Sequence, residues 1–274
     1  MRIALLQMTS GIDPLANGSA IVEAVEAAAR GGAAMLFTPE MSGLIDRSRE
    51  RARSSIVAQA DDPVLAAARR AAAEHGMWVH LGSLAVLGEG GRLANRGFVI
   101  DPEGAIRATY DKIHLFDVDL PTGESWRESA AYAAGDRGCV AETPLGRLGL
   151  SICYDLRFPA LYAVLTAAGA TILAVPAAFT VPTGEAHWHV LLRARAIEGG
   201  AFVVAAAQAG AHADGRTTYG HSLVIDPWGT VLLDMGQEPG LGFAEIDPGA
   251  IAEVRSRIPV LDHRRTIPHA SVAT

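Results

Sequence analysis

The sequence predicts a layered α/β fold with mixed sheets, and three observations carry that reading. Apolar runs of strand length alternate with alanine-rich helical stretches. Two hairpin signals set antiparallel pairs beside buried strands. No Gly/Ser/Pro-rich hinge or charge run divides residues 1–274, which therefore read as a single domain. A chain of 274 residues that is 50% hydrophobic is long enough for one large core and is not disordered.

The elements follow in order. Residues 2–8 read as a buried strand, 20–29 as a helix ending at Gly31-Gly32, and 34–38 as a second strand broken by Pro39. Asp62-Pro63 has the form of an N-cap followed by proline at the first helical position, opening a helix that stops at Gly76. Residues 78–87 are strand-like, as are 96–100 and 105–110, which flank the turn signal Asp101-Pro-Glu-Gly104. A short apolar strand ends at Cys153, and the run from Asp155 to Ala168 then reads as the start of a helix. Helices over about 157–169 and 185–199 precede strands at 171–175 and 201–207. Asp226-Pro-Trp-Gly229 repeats the earlier turn between 222–225 and 230–233, which hints at an internally repeated architecture.

Several functions fall away. The formal charge of -7 and the lack of clustered Lys and Arg argue against a nucleic-acid surface. No stretch approaches the roughly 18 uncharged apolar residues of a membrane span, and Met1 leads directly into Ile3-Ala-Leu-Leu-Gln7. A cytoplasmic chain, free of membrane, is the expectation. Two cysteines, Cys139 and Cys153, rule out a disulfide framework and a cysteine-based metal site. There is no Gly-x-Gly-x-x-Gly turn and no phosphate loop.

The segment Gly-Leu-Ser-Ile-Cys-Tyr-Asp-Leu-Arg-Phe-Pro, 149–159, carries the strongest chemical signal. A thiol delivered by a strand to the start of a helix sits among free amides, which stabilise a thiolate and can hold an oxyanion. The competing reading is that Cys153 is a small buried hydrophobe, the usual fate of a free cysteine. Phe37-Thr-Pro-Glu40 presents a carboxylate at the end of a buried strand, as a general base or a helix-capping charge. Tyr110-Asp-Lys112-Ile-His-Leu115 contains the chain's only lysine, which suggests a task needing a compact ammonium. Arg127-Glu128-Ser129 by itself reads as a polar surface loop.

Glu40, Lys112 and Cys153, in these settings and in this order, resemble the Glu-Lys-Cys triad of the nitrilase superfamily, the carbon-nitrogen hydrolases. The likeness extends over essentially the whole chain, through Thr183-Gly-Glu-Ala-His-Trp188, Arg195-Ala-Ile-Glu198, Gly220-His-Ser222 and Asp226-Pro-Trp-Gly229. Cys-Tyr-Asp resembles the Nit branch of amidases, which includes ω-amidases and enzymes that cleave deaminated glutathione. The resemblance implies a four-layer α-β-β-α sandwich that forms a homodimer or higher homo-oligomer. It also implies hydrolysis of a small carboxylate-bearing amide through a thioester on Cys153, releasing ammonia or an amine. Glu40 would be the base, Lys112 and the Tyr154 amide would hold the oxyanion, and Glu128 would orient substrate and hold the lysine. No metal and no organic cofactor are implied. N-carbamoyl amino acid hydrolysis, nitrile hydrolysis and a catalytically silent scaffold of the same fold are the rivals.

Other residues invite plainer readings. His187 and His189 lie on different helix faces and do not share a metal. His114 is expected to satisfy a nearby buried carboxylate, Arg195 and Glu198 to form a structural ion pair, and Cys139 to pack. Arg157, four residues past the nucleophile, either clamps a substrate carboxylate or anchors the turn.

Overall fold

A computed structural model describes residues 1–119, 123, 125–268, 270 and 272. In order, the strands and helices are β1 Arg2–Gln7, α1 Pro14–Arg30, β2 Met35–Phe37, α2 Arg49–Arg53, α3 Pro63–His75, β3 Trp78–Leu87, β4 Leu93–Ile100 and β5 Ile106–Asp111. A short pair follows, β6 Asp117–Asp119 and β7 Ser125–Arg127, then β8 Cys139–Thr143, β9 Gly146–Leu150, α4 Pro159–Ala167, β10 Ile172–Ala174 and α5 Val181–Gly199. The remainder is β11 Phe202–Ala205, β12 Ala209–Ala211, β13 Thr217–Tyr219, β14 Leu223–Ile225, β15 Val231–Asp234, β16 Gly240–Glu245 and α6 Pro248–Arg257.

Two six-stranded sheets form the centre, ordered β16-β1-β2-β3-β4-β5 and β15-β14-β11-β10-β9-β8. Each has a parallel trio, β1-β2-β3 or β9-β10-β11, an antiparallel pair on one side and one antiparallel strand on the other. The repeat hinted at by the two Asp-Pro-x-Gly turns is thus a repeat of whole sheets. In each turn the first aspartate caps the loop: Asp101 Oδ1 accepts from the Ala105 amide at 2.7 Å, and Asp226 Oδ1 from the Thr230 amide at 2.8 Å.

The layers follow from two-sided burial. On β1, Ile3 and Leu5 join the core facing the second sheet, while Ala4 and Leu6 join a separate core under α1 and α3. Leu161 and Leu165 of α4 and Leu192 of α5 pack with the second sheet's strands, giving the α-β-β-α order. Asp62 caps α3 as expected, its Oδ1 accepting the Leu65 amide at 2.8 Å, and Gly76 ends the helix in the left-handed region. The expected start of the first helix at 20 is corrected to Pro14, because Asp13-Pro14 makes the same cap. Likewise α5 begins at Val181. No helix among the described residues is long and apolar enough to cross a membrane.

Candidate active site

The C-terminal ends of the parallel strands β2 and β9, one from each sheet, and of the antiparallel strand β5 bring the chemical residues together. Beyond β2 the chain passes Thr38-Pro39 and delivers Glu40, 5% exposed; Lys112 lies one residue beyond β5; Cys153 lies beyond β9. Lys112 Nζ donates to Glu40 Oε1 and to Glu128 Oε2, each at 2.9 Å. Glu40 Oε2 also accepts the Ala178 amide at 3.0 Å, and the Cys153 thiol lies close enough to interact with the carboxylate. Glu128, which by itself reads as surface, is turned inward at the end of β7 and also accepts the Phe116 amide at 2.7 Å.

Burial opposes ionisation of Glu40, but the charge of Lys112 and hydrogen bonds from Cys153, Lys112 and Asn95 outweigh it and hold the carboxyl below its usual range. Burial also works against the charge on Lys112, yet Glu128 and Glu40 push its pKa well above that of an ordinary lysine. The Cys153 thiol goes the other way: burial and then the Glu40 charge raise it well above an ordinary thiol, despite Lys112 and the Ala178 amide. At rest the site thus favours the protonated thiol of Cys153 beside the Glu40 carboxylate over a thiolate.

The turn carrying Cys153 is also more complicated than a strand running into a helix. Residues Cys153–Arg157 form a single tight helical turn that ends at Phe158, because the residue before Pro159 avoids helical geometry; α4 starts only at the proline. Cys153 itself has φ of +51°, a conformation unusual for any residue but glycine and one that over-determined surroundings must hold. Asp155, fully buried, does much of the holding: it accepts from the Ile152 amide at 2.9 Å, the Tyr110 hydroxyl at 2.7 Å and the His114 amide at 3.0 Å. His114 Nδ1 lies 2.7 Å from the same carboxylate, so that histidine satisfies a buried acid as expected. Arg195 pairs with Glu198 at 2.8 Å and also donates to the Leu156 carbonyl, bracing the turn from α5. Cys139 opens the edge strand β8 and packs against the core.

Arg157 is not among the residues that line the cavity beside Cys153. It is half-buried, stacks over the rings of Phe179 and Tyr154 at 5.6 and 6.0 Å, and places Nη1 3.3 Å from His187 Nδ1. These contacts are those of an anchor for the turn. Tyr154 does line the space, and its amide is among the first of a helical turn, which have no acceptor within the turn. His187 and His189 part company: His189 faces Asp234 instead.

One residue of the site was missed altogether. Asn95, on β4 and 1% exposed, donates through Nδ2 to Glu40 Oε1 at 2.9 Å and to Glu128 Oε1 at 3.1 Å, while its carbonyl accepts the Lys112 amide. Its Oδ1 finds no donor among the described residues. The reverse orientation would set that oxygen against two carboxylates, which explains why the amide faces one way.

Glu40, Lys112, Glu128 and Cys153 lie on the wall of a cavity of about 1070 Å³. Although the chain is acidic overall, Arg47, Arg49, Arg53, Arg92, Arg127 and Arg216 also line it. Arg47 and Arg216 stand over the Trp126 ring at 5.2 and 5.0 Å, and the buried Trp126 Nε1 has no acceptor among the described residues. The carboxylates of Glu40, Asp46 and Glu128 share the lining, and Arg127 and Arg216 are paired with Asp119 and Asp214.

The carbon-nitrogen hydrolase family model matches residues 2–256. A deaminated glutathione amidase of Synechocystis is 41% identical over 266 residues, covering 95% of this chain and 97% of the relative. The crystal structure of the C. elegans NitFhit protein superposes with a TM-score of 0.89 at 40% identity over 96% of this chain, which spans 65% of that longer protein. A point mutant of the amidase from Nesterenkonia sp. AN1, showing covalent addition of the acetamide moiety of fluoroacetamide at its active-site cysteine, has a TM-score of 0.81 at 28% identity, covering 97% of this chain and 94% of its own. The chain belongs to the carbon-nitrogen hydrolase family.

Proposed function

We propose that this chain hydrolyses the amide bond of a small carboxylate-bearing molecule through a thioester on Cys153, with deaminated glutathione as the best-supported substrate. The observation that carries the chemistry is the buried chain of contacts from thiol to Glu40 to Lys112 to Glu128 on one cavity wall. As Cys153 Sγ bonds to the carbonyl carbon, its proton passes to Glu40 and the carbonyl electrons move onto oxygen. Lys112 and the Tyr154 amide neutralise that oxyanion. Collapse breaks the C–N bond, the proton on Glu40 goes to the departing nitrogen, and ammonia or an amine leaves. Water then gives a proton to Glu40 and attacks the thioester. The C–S bond breaks, the acid is released, and the proton returns to sulfur. Glu128 and Asn95 hold Lys112 and Glu40 in register throughout.

Two features favour deaminated glutathione over a shorter ω-amide. The cavity, about 1070 Å³, has room for a tripeptide-sized acid, and its arginines suit carboxylates. Relatives at about 40% identity over nearly the whole chain carry that name. The family resemblance adds a homodimer, for which the exposed Val164, Val190 and Ile197 on the outer helices supply apolar surface.

The test compares kcat/KM for deaminated glutathione and its methyl esters in wild type, Arg157→Ala, Arg47→Met and Arg216→Met. The free acid should be favoured at least tenfold in wild type and in Arg157→Ala, an ion pair of about 1.4 kcal/mol or more. One of the two cavity variants should lose that preference. Equal rates for acid and ester in wild type would refute carboxylate recognition.

A further inference from the structure

We propose that His189, His221 and Asp234 form a site for a divalent transition-metal ion, zinc by donor type, separate from the catalytic cluster. The three come from different elements: His189 from α5, His221 from the segment between β13 and β14, and Asp234 from the end of β15. Their donor atoms all lie within 4.8 Å of one another, with His189 Nε2 3.0 Å from Asp234 Oδ2 and His221 Nδ1 2.8 Å from Asp234 Oδ1. A tetrahedral zinc with bonds of about 2.0–2.2 Å sets its donors a little over 3 Å apart, so the shell closes with shifts of about an ångström. Two imidazoles and one carboxylate leave the fourth position to water.

The donors are held in advance of any ion. Trp188, fully buried, donates through Nε1 to the His221 carbonyl at 2.8 Å, and the Tyr219 ring stacks on the His221 ring at 4.5 Å. The Gly236 amide donates to Asp234 Oδ1 at 2.9 Å, leaving Oδ2 for the metal and giving the carboxylate the outer hydrogen bond that metal-binding carboxylates have. All three side chains keep some contact with solvent, so an ion has an entry path. The ion would tie α5 to the β14–β15 hairpin. Phe179 and Thr180, immediately before α5, line the cavity, so the tie would stiffen a substrate wall without touching the reacting atoms.

The test is calorimetric titration of chelator-stripped full-length protein with zinc chloride, followed by thermal melts. One zinc per chain should bind, and Tm should rise by roughly 5 °C when free zinc exceeds Kd about a hundredfold. Asp234→Asn should abolish both effects. His189→Gln, on a partly exposed helix face that tolerates substitution, should do the same, and Cys153→Ala should keep both. No stoichiometric uptake would overturn the site. So would an equivalent of zinc that survives both ligand variants, or one lost in Cys153→Ala, since that zinc would sit on the catalytic thiol.

Discussion

Lys112 is held by charge. Its Nζ sits 2.9 Å from each of two carboxylates at 2% exposure, a point-charge geometry that a planar guanidinium does not reproduce. We expect Lys112→Arg to lose kcat/KM by about 10²–10³, nearly as much as Lys112→Ala, as loss of an oxyanion donor does. Steady-state kinetics at saturating and limiting substrate check this; near-wild-type activity in the arginine variant would make the lysine peripheral. Asn95 tests the same cluster from the other side. Its Nδ2 favours the charged form of Glu40, so in Asn95→Leu the Glu40 pKa should rise from its depressed value. In the proposed mechanism Glu40 works ionised as the base, so the acid limb of kcat/KM should move to higher pH, while a merely structural loss would lower the whole profile without moving it. The triad was legible in the sequence because each member is odd for its setting: an only lysine, a Pro-Glu at a strand end, a thiol at a turn. Asn95 was not, because an asparagine inside a strand means nothing until the β3–β4–β5 pairing sets it beside Glu40.

At the scale of elements, catalysis depends on backbones that approach closely. A Cβ at Gly82 on β3 would lie 2.1 Å from the Thr38 carbonyl and 2.5 Å from that of Pro39, the two residues that lead into Glu40. Gly82→Ala should therefore displace Glu40 by about an ångström, with kcat falling up to about a hundredfold and stability by about 1–3 kcal/mol. Denaturant melts alongside kinetics check it; full activity would show that the Glu40 turn yields freely. Caps and turns were legible wherever an aspartate met a proline or glycine in sequence, as at Asp62-Pro63 and Asp101-Pro-Glu-Gly104. The strands β6 and β7 were not, since each is three residues long with a single apolar side chain, Val118 or Trp126, too short a pattern to read, and it is their pairing that turns Glu128 inward. The break between the Cys153 turn and α4 was written in Phe158-Pro159 but reads as continuous helix on periodicity alone.

For the molecule as a whole, the repeated sheets explain why a site forms where it does. Glu40 follows the central parallel strand of one sheet and Ala178 that of the other, and they meet at 3.0 Å, next to the thiol that follows β9. The two similar turns pointed to repetition, but which ends converge follows only from the packing of one sheet on the other. The acidic overall charge likewise conceals the arginine-lined cavity, because composition averages what folding gathers. The central claim is that Cys153 is acylated during turnover while Glu40 carries the proton. Protein quenched during hydrolysis of a slow amide, digested and analysed by mass spectrometry, tests it most directly. The account predicts an acyl adduct on the peptide containing Cys153, and its absence along with turnover in Cys153→Ala. An adduct on Cys139, or undiminished turnover in Cys153→Ala, would contradict it.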